Sequence, residues 1–335
     1  IHLYIDGKKV ATGKYLQNHA TLYTLKAKQG QSYDVKFEFI FANRDRAAQL
    51  DFDMGRDIPV NLQATVEKVK DADVILFAGG ISPTLEGEEM PVDAEGFKGG
   101  DRTSIELPAI QRQLVAELKK TGKPIVFINY SGSAMGLTPE SEICDGMLQV
   151  WYPGQAGGTA IADVLLGDYN PAGRLPVTFY THTGQLPDFE DYSMKGRTYR
   201  YLTEKPLFPF GYGLSYTTFG YGEAQLSKNT FSQGETLTLT IPVTNTGDRD
   251  GEEVVQVYLR RPGDADAPSH TLRAFQRVHI NKGETQKVIL SLSDENFLWF
   301  NPATNDMNLV KGEYELLYGG TSDTNALHTI RLTIL

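Results

Sequence analysis

Two short, continuous apolar runs constrain this chain more than any other feature. Ala72-Asp73-Val74-Ile75-Leu76-Phe77-Ala78 and Pro124-Ile125-Val126-Phe127-Ile128 both read as strands buried on two faces, the kind that parallel sheets contain. Between them, residues 107–120 follow the period of an amphipathic helix, with Pro108 at its start and Gly122 after its end. A further helix is expected over 58–70, a strand over 147–151 and a helix over 157–166. This alternation predicts an α/β unit over 58–220, with a mostly parallel sheet and helices on its faces. Ligands of such sheets bind at the carboxyl ends of the strands, which directs attention to Gly79 and the residues after it.

The flanks are β-patterned. At the N-terminus, residues 2–5, Asp6-Gly7 and residues 8–10 form a hairpin signature. Tyr33, Val35, Phe37, Phe39 and Phe41 then alternate with polar residues after a turn at 28–32. This β segment, 1–57, is short for a self-sufficient domain. Because the chain opens directly on a hairpin, it is expected to be cut from a longer one, with any targeting signal lost. After residue 220, Leu237/Leu239/Ile241/Val243, Val288/Leu290/Leu292 and Tyr314/Leu316/Tyr318 alternate, with turns at 245–247, 281–283 and 311–312. About seven short strands at this spacing predict an all-β sandwich over 221–335.

Composition narrows the function. With 32 basic and 42 acidic residues the formal charge is −10, which argues against nucleic acid or an anionic membrane as partner. No apolar run approaches the ~20 residues of a membrane span. The single cysteine, Cys144, permits no intrachain disulfide and reads as buried and inert. None of the six histidines has a metal-ligand spacing. Gly79-Gly80 is not followed by a Gly-x-Gly-x-x-Gly pattern, so dinucleotide binding is not indicated. Ser131-Gly132-Ser133 lacks the flanks of a nucleophile elbow and reads as a polar strand end.

The candidate chemistry lies between Gly79 and Arg102. About 25 residues separate the strand from the next helix, and loops this long inside compact domains are usually functional. Glu86, Glu88, Glu89 and Glu95 lie in it, and a carboxyl held there could be tuned to donate a proton. A solvated acidic loop is the competing reading.

Three long runs carry a family resemblance: residues 151–176 (Trp151-Tyr152-Pro153-Gly154 through Gly173-Arg174-Leu175-Pro176), 192–201 (Tyr192 through Tyr199-Arg200-Tyr201) and 209–219 (Pro209-Phe210-Gly211-Tyr212-Gly213 onward). With them the chain resembles the C-terminal half of glycoside hydrolase family 3, the β-glucosidase and β-xylosidase group. The resemblance implies an α/β sandwich over 58–220 and a fibronectin type III-like sandwich over 221–335. It implies that 1–57 is the tail of a lectin-like, protective-antigen-type domain.

It further implies a retaining, exo-acting enzyme on xylo- or gluco-oligosaccharides, periplasmic or secreted, needing no cofactor and no metal. The family's nucleophile is an Asp on an N-terminal (β/α)8 barrel, and no barrel is present in these residues, so the chain alone is expected to be inactive. The family's acid/base is a Glu on the α/β loop. Counting from Gly79-Gly80 places it at Glu86, with Glu88 next; counting back from Asp101-Arg102 brings in Glu95 as a rival. Asp101 and Arg102 are expected to brace the loop by an ion pair and by capping the helix near Leu107. Arg197 and Arg200 read as mainly structural. The rival functional classes are a carbohydrate-binding module and a structural fragment held to a separate barrel chain. An unpaired strand edge would favour association with another chain, a second copy included.

Overall fold

The computed structural model describes residues 1–13, 21–40, 53–56, 58–86, 92 and 94–335. The N-terminal segment is a three-stranded antiparallel sheet, in which β1 (His2–Ile5) lies between β2 (Lys8–Thr12) and β3 (Val35–Glu38). Asp6 and Gly7 turn the β1–β2 hairpin with φ of 49° and 77°, the positive pair that an Asp-Gly turn supplies. Gly30 (φ 82°) turns the segment before β3, and Val35 pairs with Ile5. Phe41, at the end of the expected alternation, lies outside the described residues.

The α/β unit follows. Asn61 caps α1 (Leu62–Val69) by accepting from the Ala64 N–H, so this helix starts four residues later than the apolar period suggests. Next come β4 (Ile75–Gly80), the short β5 (Phe97–Lys98) and β6 (Asp101–Arg102), α2 (Ala109–Lys119) and β7 (Ile125–Tyr130). Then α3 (Thr138–Ile143), β8 (Gly146–Gln149) and α4 (Gly157–Leu166) complete it. Strands β4, β7 and β8 form a parallel sheet in that order, in register from Ile75 opposite Ile125 to Gly80 opposite Tyr130. One face packs on helices: Ile75, Ile125 and Leu118 form a buried cluster with Val66, Val69 and Leu114 against it.

The other face corrects the expectation of strands buried on both sides. Leu76 is 56% exposed and Val74 48%, and Ala78 is exposed too. The cause is position. Strand β4 is the sheet edge, and its side chains pointing away from α2 have no layer over them among the described residues.

Past α5 (Thr198–Tyr201) the chain enters a β-sandwich. It comprises β9 (Phe219–Tyr221), β10 (Gln225–Leu226), β11 (Thr230–Phe231), β12 (Leu237–Asn245), β13 (Gly251–Arg260), β14 (Thr271–Ile280) and β15 (Thr285–Leu292). After α6 (Asp294–Phe297) come β16 (Trp299–Asn301), β17 (Asp306–Asn308), β18 (Gly312–Gly319) and β19 (His328–Ile334). One sheet runs β10-β12-β15, with β9 also on β12; the other runs β11-β19-β18-β13-β14. Leu237, Leu239, Ile241 and Val243 are fully buried between them, alternating with partly exposed neighbours as the sequence period requires.

The α/β unit and the sandwich are joined by buried polar contacts. Arg174 donates to Glu253 at 2.9 Å, with the two side chains 9% and 5% exposed, and Tyr221 OH donates to the same carboxylate at 3.1 Å. Burial pushes the Glu253 carboxyl up, and Arg174 and Tyr221 oppose it. Gln256 donates to the carbonyls of Gly211 and Gly320. A Cβ on Gly213 would lie 2.2 Å from the Gly173 carbonyl, so the two motif segments touch through a glycine. Tyr199 stacks on Phe210 at 4.6 Å and accepts from the Leu272 N–H. Much of the sequence that carries the family resemblance therefore builds this joint.

Candidate functional site

Three loops leave the carboxyl edge of the parallel sheet side by side, because β4, β7 and β8 are paired in register up to that edge. Glu86 comes from the first, Ser133 from the second and Tyr152 from the third. The edge is tight where the first loop begins. A Cβ on Gly80 (φ 124°) would lie 1.9 Å from the Tyr130 carbonyl, so only glycine fits. Gln111 of α2 clamps Gly80 by accepting from its N–H (2.8 Å) and donating to its carbonyl (2.7 Å). Gly79-Gly80 thus serves close backbone packing, and Ile81 N–H then donates to the Tyr130 carbonyl.

Glu86 has a side chain 21% exposed, and both its oxygens are engaged. Ser133 Oγ donates to Oε1 at 2.7 Å and Tyr152 OH donates to Oε2 at 3.2 Å. Arg102 Nη1 lies 3.9 Å from Oε1 and donates to Ser133 Oγ (2.9 Å) and the Ala134 carbonyl (3.1 Å). Burial pulls the Arg102 guanidinium down, with Glu86 and Glu106 opposing. Burial and then the Glu86 charge push the Tyr152 phenol up, so it keeps its proton.

Beneath the cluster is a neutral polar layer. Buried Asn129 donates to Gln149 Oε1 at 2.6 Å, Gln149 donates to Ser131 Oγ at 3.1 Å, and Ser131 donates to the Ser133 carbonyl at 2.9 Å. The arrangement holds one carboxylate in a fixed pose at the edge of a protein surface. Chemically, that is a proton donor and acceptor with oriented partners.

The other sequence candidates fall elsewhere. Glu95 is exposed in the turn before β5, with no hydrogen bond or ion pair among the described residues. Glu88 and Glu89 lie outside the described residues. Arg102 lies 3.9 Å from Glu86 and donates to Ser133 and the Ala134 carbonyl. Its expected ion pair with Asp101 is not formed: Asp101 is exposed, and Arg102 turns inward to the carboxylate. Nor does either residue cap α2, whose N-cap is Pro108 without a side-chain cap. Arg197 is structural, donating to the carbonyls of Asp188, Asp191 and Ser193. Cys144 is half-buried, and burial pushes its thiol up to about 11, which leaves it an unreactive neutral thiol.

Glu106 was not singled out by sequence, yet it clasps the loop to the segment before α5. Burial raises its carboxyl, but bonds from Ser104 and from the Thr183 hydroxyl and N–H outweigh this and hold it at about 2. Among the described residues no group of three or more His, Cys, Asp or Glu could hold a metal ion, and no helix is long and apolar enough to cross a membrane.

Sequence reasoning also missed Ser133 and Tyr152. The signal available was their position, each just past a parallel strand neighbouring the one that carries Glu86.

A parallel sheet bearing an acidic loop at its carboxyl edge is joined to an all-β sandwich, and the comparisons identify the pair. Residues 6–216 match the glycosyl hydrolase family 3 C-terminal domain and residues 253–322 match the fibronectin type III-like domain. The chain belongs to glycoside hydrolase family 3. It is 48% identical over 332 residues to a xylan 1,4-β-xylosidase of Xylanibacter ruminicola, covering 99% of this chain and 38% of that relative. It is 36% identical over 253 residues to a periplasmic β-glucosidase of Salmonella typhimurium, covering 72% of this chain and 32% of that one. Among solved structures, a β-glucosidase of Erythrobacter marinus superposes with a TM-score of 0.71 at 35% identity, over 82% of this chain and 36% of its own. The chain thus spans well under half the length of these relatives.

Proposed function

We propose that these residues form the C-terminal part of a retaining, exo-acting β-glycosidase, a β-xylosidase or β-glucosidase, and supply its acid/base, Glu86. The observation that carries the reading is the pose of Glu86. Among the described residues, Ser133, Tyr152 and Arg102 converge on this one carboxylate at the sheet's carboxyl edge. Retaining hydrolysis needs two carboxyls about 5–5.5 Å apart, one nucleophile and one acid/base. Glu86 gives its proton to the glycosidic oxygen as the C–O bond breaks, then takes one from the water that releases the sugar. The nucleophile is the Asp of the barrel that the family resemblance implies, in the part of the relatives' length that these residues do not span. The chain alone then hydrolyses nothing.

The partner that completes the site also covers the open face of β4, where Leu76, Ala78 and Val74 are exposed on a sheet edge. Residues 1–57 are the tail of a lectin-like domain, and the boundaries near 58 and 221 separate it from the α/β sandwich and the end domain. The xylosidase relative at 48% identity supports xylo-configured substrates over gluco-configured ones. The periplasmic relative supports a periplasmic or secreted enzyme.

Glu86→Gln in the longer, barrel-bearing enzyme tests the assignment. Turnover of a xyloside or glucoside with a poor leaving group is expected to fall about 10³-fold, the scale of a lost general acid, while a good leaving group is far less affected. Unchanged turnover of the poor substrate would remove Glu86 from the role.

A further inference from the structure

We infer that Tyr152 is the positioning residue of the Glu86 carboxyl, holding the oxygen that carries the proton while Ser133 and Arg102 hold the other. The inference rests on the proposed role of Glu86.

The two oxygens are held unequally. Oε1 accepts from Ser133 at 2.7 Å, and Ser133 is itself fixed by Arg102 at 2.9 Å, with the guanidinium 3.9 Å from Oε1. Among the described residues Oε2 meets a single partner, the Tyr152 phenol, at a longer 3.2 Å. Oε1 is the anchor and Oε2 the oxygen free to exchange a proton.

Two backbone features serve this one contact. Trp151, a bulky residue, adopts φ 57°, a strained conformation that the surroundings must hold in place. Its indole packs edge-on against buried Phe179 at 6.2 Å, which fixes the turn that delivers Tyr152 to the carboxylate. On the opposite side, Gly132 leaves the room the ring occupies. A Cβ there would lie 2.7 Å from Tyr152 Cε2 and 3.4 Å from Glu86 Oε2.

The phenol also has the right chemistry. A hydroxyl donates to a carboxylate and accepts from a carboxylic acid, so it partners Oε2 in both protonation states that an acid/base must visit. Among the described residues the charged groups facing Glu86 are Arg102 and, behind it, Glu106. Gln149 and Asn129, beneath, are neutral.

The test titrates Glu86 in this chain labelled with ¹³C-glutamate, the signal being assigned by Glu86→Gln. In Tyr152→Phe the donor to the ionised form is lost, and the Glu86 midpoint is expected to rise by about half to one pH unit. Gly132→Ala, which keeps the hydroxyl but pushes the ring away, is expected to raise it in the same direction. Midpoints unmoved in both variants would overturn the inference. In the longer enzyme, Tyr152→Phe is expected to move the alkaline limb of kcat/KM upward by the same amount and to lower kcat with little change in KM. An unmoved limb would likewise overturn it. Failure of the acid/base reading looks different: Glu86→Gln would then leave turnover of a poor leaving group intact.

Discussion

Strands β12 and β4 are both rich in aliphatic side chains, but they live in different settings. In β12, Leu237, Leu239, Ile241 and Val243 are all fully buried between two sheets of the same domain. In β4, Ile75 is buried under α2 while its neighbour Leu76 is 56% exposed at a sheet edge. The sandwich closes on itself, because each sheet supplies the cover the other needs. The parallel sheet is a middle layer, and a middle layer needs cover on both faces. Among the described residues one face has it, while the other is covered at Ile128 of β7 and open along β4. Glu86, the proposed acid/base, belongs to this unit, and the closed sandwich braces the unit through Arg174, Glu253 and Gln256.

Mutations sharpen the contrast. Leu239→Ala empties a fully buried site between the sheets and is expected to cost about 3 kcal/mol in a denaturant melt. A cost near zero would mean that the sandwich is loosely packed.

Next comes the interface of sandwich and α/β unit at His270, which is 3% exposed, lies against Tyr199 and Tyr258, and is within hydrogen-bond distance of the Ser322 carbonyl. Burial pulls its pKa from 6.5 to about 4. A depressed histidine contributes stability that is complete above its unfolded value and is lost as pH falls through the folded one. Between pH 6.5 and about 4 the protein is therefore expected to lose up to about 3 kcal/mol, a slope that His270→Asn should flatten. Parallel pH profiles in the two proteins would count against a neutral buried imidazole.

In the α/β unit, Glu106→Gln removes a carboxylate held at about 2 by Ser104 and Thr183. A loss of about 1–2 kcal/mol at neutral pH is expected. Its contribution is present above the ordinary carboxylate value of 4.5 and fades as pH falls toward 2, so the difference from the parent should shrink in acid. The smallest effect is at the open face. Leu76→Ala in this chain should change stability by less than about 0.5 kcal/mol. In the longer enzyme the same substitution should cost several times more, and equal costs would mean that nothing covers β4.

The sequence made the layers legible because burial leaves a period. Alternation in β12, β15 and β18 marked the sandwich, and the runs at 72–78 and 124–128 marked the parallel strands. It could not reveal that β4 is an edge, since an apolar run looks the same whether its cover is present or supplied by another segment. Glu86 was named by counting along the family resemblance from Gly79-Gly80, with Glu88 and Glu95 as rivals; the residues alone left several Glu of the loop open. Its hydrogen-bond partners were not identified. Ser133 and Tyr152 approach from strands far away in sequence, and only the register of β4, β7 and β8 brings them together. Arg102 was expected to pair with its neighbour Asp101. It turned instead to a carboxylate sixteen positions earlier, because it lies in the half-buried layer where an unpaired charge is costly.

The most direct measurement is turnover of an aryl β-xyloside and an aryl β-glucoside by these 335 residues alone, and by the same residues joined to the N-terminal barrel that the proposed function requires. No turnover is expected from the chain alone, activity from the joined form, and its loss on a poor leaving group when Glu86 is changed to Gln. Appreciable hydrolysis by the isolated chain would contradict the claim that it holds half of an active site.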